Sequence, residues 1–199
     1  ILCNPNNPTG TSFSAEAFEV FMRELPDDVV LAIDEAYVDF AGRADFPDSM
    51  AWIGPRPGTI VLRTFSKNYG LAGLRVGYGI ADTEFAEYLQ RARHPFNVNR
   101  LAEVAALAAL DDKEHLEKTK ASNAEGRAFL KKAFLQMGLE VWPSDANFVL
   151  VRSGAGVYEP LLKEGVIVRP LGGFGLHDCV RVSVGTPDEN RRLVEVMGR

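Results

Sequence analysis

The sequence predicts an α/β fold on three observations. Residues 29–34, 59–64 and 76–81 are short β-branched or apolar runs bounded by turn residues, the pattern of strands buried on both faces of a parallel-type sheet. Helical patterns lie at 14–25, between the opening strand end Ile1-Leu2-Cys3 and these runs, and at 83–93 and 101–110 after them, the second behind Asp82 as N-cap and the third rich in alanine. Strands and helices therefore alternate, which is the α/β arrangement.

The remaining elements follow in chain order. The chain opens without Met on Ile1-Leu2-Cys3, which reads as the end of a strand cut in mid-element, so the sequence is expected to be the later part of a longer one. A long helix is expected over 113–137, because Leu116, Asn123, Arg127, Leu130, Phe134 and Met137 recur at spacings that share one face. Asn123 and Arg127 make that face only partly apolar. A domain boundary is placed at the start of this helix, dividing 1–112 from 113–199. Beyond it, strands are expected at 147–151, 166–169 and 180–184, with a helix over 157–164. The last helix has a clear start in Thr186-Pro187-Asp188-Glu189, with Thr as N-cap, Pro at the first helical position and Glu closing a capping box. The second part is thus a small α/β domain.

Composition narrows the function classes. With 199 residues and 46% apolar content, the chain has ample material for a packed core. Its longest uninterrupted apolar runs, such as 29–33, fall far short of the roughly 20 residues that span a bilayer, so no membrane partner is expected and a cytoplasmic protein is. A net charge of -5, with Lys and Arg scattered, leaves no basic stripe for nucleic acid. Cys3 and Cys179 lack CxxC spacing and His94, His115 and His177 lack ligand spacing, so neither a metal site nor a disulfide framework is expected.

Chemistry-bearing residues gather at predicted strand ends and the turns after them, where open α/β sheets place ligands. Asn4-Pro5-Asn6-Asn7-Pro8-Thr9-Gly10 follows the first strand, and its prolines and glycine fix a turn that holds an Asn amide in one orientation; the plainer alternative is a tight surface turn. Asp34-Glu35-Ala36-Tyr37 ends the strand at 29–34. A carboxylate there needs a cationic partner, or else it caps the following turn. Thr64-Phe65-Ser66-Lys67, with Arg75 eight residues after the lysine, combines an amine nucleophile with hydroxyls and a guanidinium suited to a phosphate, against the alternative of a solvated loop lysine. Arg169 and Arg181 fall in predicted apolar strands, where a guanidinium requires an anionic ligand or an internal carboxylate.

NPNNPTG, DEAY and TFSK-NYGLAGLR, in this order and spacing, resemble the fold-type I aminotransferases of classes I and II. Within them, DEAYVDF, PFNVN at 95–99, SDANFVLV at 144–151 and the 165–190 segment GVIVRPLGGFGLHDCVRVSVGTPDEN resemble the histidinol-phosphate aminotransferase family over nearly the whole chain. The resemblance implies the fold-type I architecture, with 1–112 the later part of the large cofactor domain and 113–199 the small domain. It implies pyridoxal 5'-phosphate (PLP) as cofactor, small-molecule substrates and a homodimer. By position, Lys67 corresponds to the Schiff-base lysine and Asp34 to the partner of the ring nitrogen. Asn7 and Tyr37 correspond to the ligands of the phenolic oxygen, and Thr64, Ser66 and Arg75 to the phosphate ligands. Arg181 corresponds to the receiver of a substrate anion, Arg169 to a second arginine for the substrate phosphate, and Asn147 to the substrate side. Asn68 departs from the Ala that relatives often carry.

The implied reaction is transamination between L-histidinol phosphate and 2-oxoglutarate in histidine biosynthesis. Family members are longer, and the absent part would carry a glycine-containing phosphate turn, an aromatic residue over the cofactor ring and a tyrosine lent by the partner subunit. The chain alone is therefore expected to be weak or inactive. An aromatic amino acid aminotransferase and a threonine-phosphate decarboxylase share the three cofactor motifs, and a non-catalytic folding or dimerisation piece is the alternative of another class.

Overall fold

A computed structural model describes residues 1–199. The chain divides into two compact units, the first made of Ile1–Pro5 with Ser12–Glu117 and the second of Asn6–Thr11 with Lys118–Arg199.

The first unit holds β1 (Leu2–Cys3), α1 (Ala15–Glu24), β2 (Leu31–Asp34), β3 (Thr59–Thr64), β4 (Gly77–Ala81), α2 (Thr83–Ala92) and α3 (Arg100–Asp111). Its sheet has the order β1-β2-β3-β4; β1, β2 and β3 are parallel and β4 is antiparallel to β3. The expectation of a mainly parallel sheet thus holds, with β4 as its one antiparallel strand. The 65–76 link contains one short 3-10 turn at Ala72–Leu74 and no helix to carry the chain back along the sheet, so β4 returns the opposite way.

Local sequence explains where these elements start. Ser14, Asp82 and Asn99 each turn a side-chain oxygen onto a free backbone N–H of the helix that follows. One face of α1 buries Phe18 and Met22 against Leu31, Ile33 and Val61, each such side chain contributing about 2 kcal/mol by leaving water. The strands are less enclosed than their composition suggests. β2 alternates buried Leu31 and Ile33 with half-buried Ala32 and Asp34, and Val29 and Val30 lie exposed before it. On α3, Ala102 and Ala106 pack with Phe65 and Val76 while Leu101, Val104 and Leu107 stay exposed.

α4 (Lys113–Gln136) begins in the first unit and continues through the second, which also contains β5 (Glu140–Val141), β6 (Phe148–Arg152), α5 (Tyr158–Lys163), β7 (Arg169–Leu171), β8 (Leu176–Ser183) and α6 (Pro187–Met197). This sheet, ordered β5-β6-β8-β7, is antiparallel throughout. Leu130 and Phe134 of α4 pack with Val149, Val151, Val180, Val182, Leu193 and Val196, whereas Leu150 packs with Leu171 and Cys179. Phe148, Val149, Leu150 and Val151 are accordingly all buried.

The strand expected at 166–169 is displaced. Gly165, at φ 76°, and Val166 direct their N–H groups to the Leu162 and Leu161 carbonyls, so the backbone here caps α5 and pairing begins only at Arg169. Ile167 is 77% exposed in consequence. At the last helix the capping box forms as expected: Thr186 Oγ1 accepts Glu189 N–H, and Glu189 Oε2 accepts Thr186 N–H at 2.7 Å.

Candidate functional site

In the first unit, the ends of β2 and β3 lie side by side, with Asp34 in register with Leu62 and the Glu35 N–H donating to the Leu62 carbonyl at 2.9 Å. Two side-chain bonds then turn the chain out of the sheet. Asp34 Oδ1 accepts Ala36 N–H at 3.0 Å and Thr64 Oγ1 accepts Ser66 N–H at 3.1 Å. Asp34, Arg63, Thr64, Ser66, Lys67 and Arg75 thereby line one concavity. The Tyr37 ring lies beside it, with Lys67 Nζ 5.2 Å from the ring centroid. Arg75 has left-handed backbone (φ 56°), a conformation that costs a side-chain-bearing residue about 1 kcal/mol, and its Nη1 donates to the Ala72 carbonyl at 2.8 Å.

Asp34 both caps a turn and faces the concavity, so the two sequence readings of this carboxylate coexist. The carboxylate that is buried and paired is its neighbour Glu35, because strand alternation sends the two to opposite faces. Glu35 Oε2 accepts Arg63 Nε at 2.9 Å and Nη2 at 2.8 Å. Burial pulls the Arg63 pKa down, but the hydrogen bond and charge of Glu35 outweigh it and leave the guanidinium raised. Near the same strand ends, the Cys3 thiol is pushed up, first by burial and then by the negative charge of Asp34.

The second unit holds the other candidates. The 6–11 turn closes on itself through Gly10 N–H to the Asn6 carbonyl (2.7 Å), Asn6 N–H to the Thr11 carbonyl (2.8 Å) and Asn6 Nδ2 to Thr9 Oγ1 (2.8 Å). Asn6 is thus spent on the turn, and Asn7 Oδ1 accepts Arg181 Nη1 at 2.5 Å. Arg181 also stacks its guanidinium 4.9 Å from the Phe148 ring centroid, and its Nε is buried without a hydrogen-bond partner. Arg169 stands directly across from Arg181 in the β7–β8 pair, so two like charges share one face. Asn147 lies just before β6, with its carbonyl accepting Val184 N–H at 2.9 Å.

Sequence reasoning passed over Glu35, Ser49 and Arg63, although an arginine inside the strand Thr59–Thr64 was a visible signal. It also missed the seat of the 6–11 turn on Ser144 and Asp145, which no local pattern announces.

A family model described as aminotransferase class I and II matches residues 1–197. The chain is 48% identical over 199 residues to histidinol-phosphate aminotransferase 1 of Nitrosococcus oceani, an alignment covering 98% of the chain and 54% of that protein. It is 51% identical over 191 residues to histidinol-phosphate aminotransferase 2 of Methylococcus capsulatus, covering 94% and 52% respectively. Among solved structures it matches the crystal structure of histidinol-phosphate aminotransferase from Sinorhizobium meliloti in complex with pyridoxal-5'-phosphate, with a TM-score of 0.90 and 33% identity over 98% of the chain and 56% of that structure's chain. The chain spans about half the length of the curated relatives it matches.

Proposed function

The chain belongs to the class I and II aminotransferases, and from that premise we propose that the whole protein exchanges an amino group between L-histidinol phosphate and 2-oxoglutarate, with pyridoxal 5'-phosphate as cofactor. The observation that carries this reading is the gathering of Asp34, Thr64, Ser66, Lys67 and Arg75 around one concavity. That donor set fits the cofactor group by group: a carboxylate for a protonated ring nitrogen, an amine for an aldehyde, and two hydroxyls with a guanidinium for a phosphate.

Bound there, the cofactor supplies an electron sink for the substrate carbon. In the proposal Asp34 holds the ring nitrogen protonated and Tyr37 and Asn7 bond the phenolic oxygen. Thr64, Ser66 and Arg75 would anchor the phosphate, and Lys67 would hold the aldehyde group and serve as the general base for the substrate proton. Arg181 and Arg169 take the anionic groups of the substrates. Support comes from their like-charge pairing across two strands and from the unpartnered Arg181 Nε, both of which an anion relieves. Asn147 is assigned to the substrate side. A homodimer in the cytoplasm is part of the same proposal; the structure itself has no helix long and apolar enough to cross a membrane.

The test is an absorption spectrum of the whole protein with added cofactor, followed by borohydride reduction and peptide mass mapping, then kcat/KM for histidinol phosphate, phenylalanine and threonine phosphate. The reduced adduct is expected on Lys67, with histidinol phosphate preferred. Adducts spread over surface lysines defeat the cofactor assignment, and a preference for phenylalanine defeats the substrate assignment. The 199 residues alone are expected to transaminate weakly or not at all.

A further inference from the structure

Glu35 is 2% exposed, and every contact shown for its carboxylate is polar: Oε1 accepts the Ser49 hydroxyl at 2.6 Å and Oε2 accepts Arg63 Nε and Nη2 at 2.9 and 2.8 Å. A buried ion pair returns little net stability compared with apolar packing of the same volume, so a fixed geometry is the more telling thing it supplies. That geometry is local to the candidate site. Glu35 directly follows Asp34, and Arg63 directly precedes Thr64. Alternation along the strands sends Glu35 and Asp34 to opposite faces, so a tie between Glu35 and Arg63 holds the ends of β2 and β3 from behind. Ser49 adds a third anchor from the 3-10 turn Ser49–Trp52, itself capped by Asp48, whose Oδ1 accepts Met50 N–H at 3.0 Å. Arg63 nonetheless borders the concavity, with its side chain 31% exposed, so its charge, compensated by Glu35 on the rear face, lies close to the site.

We propose that Glu35, Arg63 and Ser49 form a positioning clamp that aims Asp34 and the 64–67 turn at the cofactor and offsets the Arg63 charge there. The clamp rests on the cofactor assignment made above. None of its three members bonds the cofactor; each acts through Asp34, Thr64 and Lys67. Glu35→Gln keeps the side-chain shape but leaves Arg63 uncompensated, whereas Glu35→Gln with Arg63→Gln restores a neutral hydrogen-bonded pair.

The experiment measures cofactor dissociation constants and the pH midpoint of the bound cofactor's visible absorption in the whole protein. Variants are Glu35→Gln, Ser49→Ala and the Glu35→Gln/Arg63→Gln pair, with near-ultraviolet circular dichroism of the cofactor-free protein reporting folding. The charged groups that line the concavity with Lys67 are Asp34, Arg63 and Arg75, and the Tyr37 ring centroid lies 5.2 Å from Lys67 Nζ. Glu35→Gln is expected to weaken binding about tenfold and to lower the pH midpoint, since an added positive charge disfavours the protonated form. The double variant should move the midpoint back toward the wild-type value, which a merely structural role does not predict. Should Glu35→Gln fail to fold, Ser49→Ala and the double variant carry the same comparison. Folded variants with unchanged affinity and unchanged midpoint overturn the clamp. An absorption band of the unaltered protein that persists unchanged in Lys67→Ala overturns the cofactor assignment and the clamp with it.

Discussion

A Cβ atom placed on Gly10 would stand 2.4 Å from Ser144 Oγ and 2.8 Å from Ser144 Cβ, so the glycine is what lets the 6–11 turn seat on the turn before β6. Asp145 N–H donates to the Gly10 carbonyl at 2.8 Å across the same contact. The Gly10 φ of +78° adds a second reason for glycine, because an L side chain is strained there. Gly10→Ala is therefore expected to destabilise the second unit by about 2 kcal/mol, with part of the loss recovered by Ser144→Gly. Urea denaturation measures this, and a loss below about 0.5 kcal/mol would show that the close approach is relieved at little cost.

The facing arginines make a separate prediction. Like charges directly opposite on antiparallel strands repel, so Arg169→Gln should raise stability by about 0.5 kcal/mol in low salt. The same substitution should shrink the rise in Tm that inorganic phosphate produces in the unaltered protein. Equal phosphate shifts in both proteins would separate Arg169 from anion binding.

Cys3 reports on Asp34. Burial first, and then the Asp34 charge, hold this thiol above its ordinary range, which keeps the reactive thiolate scarce at neutral pH. Asp34→Asn removes the negative charge and should lower the Cys3 pKa, so alkylation by iodoacetamide at pH 8 speeds up severalfold. Cys179, buried and raised for reasons that do not involve Asp34, serves as the internal reference. Peptide mass mapping of both cysteines over time gives the rates; an unchanged Cys3 rate would remove Asp34 from its surroundings.

Acid should loosen the start of α6. The Thr186 backbone N–H and hydroxyl hold the Glu189 carboxyl below its usual range. A depressed folded-state pKa contributes stability that is complete above the unfolded value, about 4.3, and disappears as pH falls through the folded value. Glu189→Gln lacks that dependence. The stability gap between the unaltered protein and Glu189→Gln should thus be steady near neutrality and close as pH drops below about 4. A gap that stays constant across this range would mean that the capping box does not titrate.

Much of this protein is legible in its amino-acid sequence. Helix starts at Ser14, Asp82 and Thr186 are written in a few adjacent residues, because capping joins a side chain to a backbone N–H two or three positions away. The residues around the first unit's concavity were legible too, since Asp34, Thr64, Ser66 and Lys67 stand at or just beyond the ends of apolar runs, and chains leave a sheet at such ends.

Other features depended on residues far apart in the chain. The reversal of β4 followed from the absence of a crossover helix in the 65–76 link, and the late start of β7 from the use of Val166 to cap α5. That Glu35 is the buried, paired carboxylate while Asp34 lines the concavity depended on which face of β2 met Arg63 and Ser49, residues 28 and 14 positions away. The seat of Gly10 on Ser144 spans a still longer separation. What the amino-acid sequence by itself determined is thus the local part: where helices begin, which runs are strands and which residue types stand at their ends. Strand direction, the face each charge takes and the partner it meets were decided only by the tertiary structure, because burial and pairing energies exist only once distant segments are brought into contact.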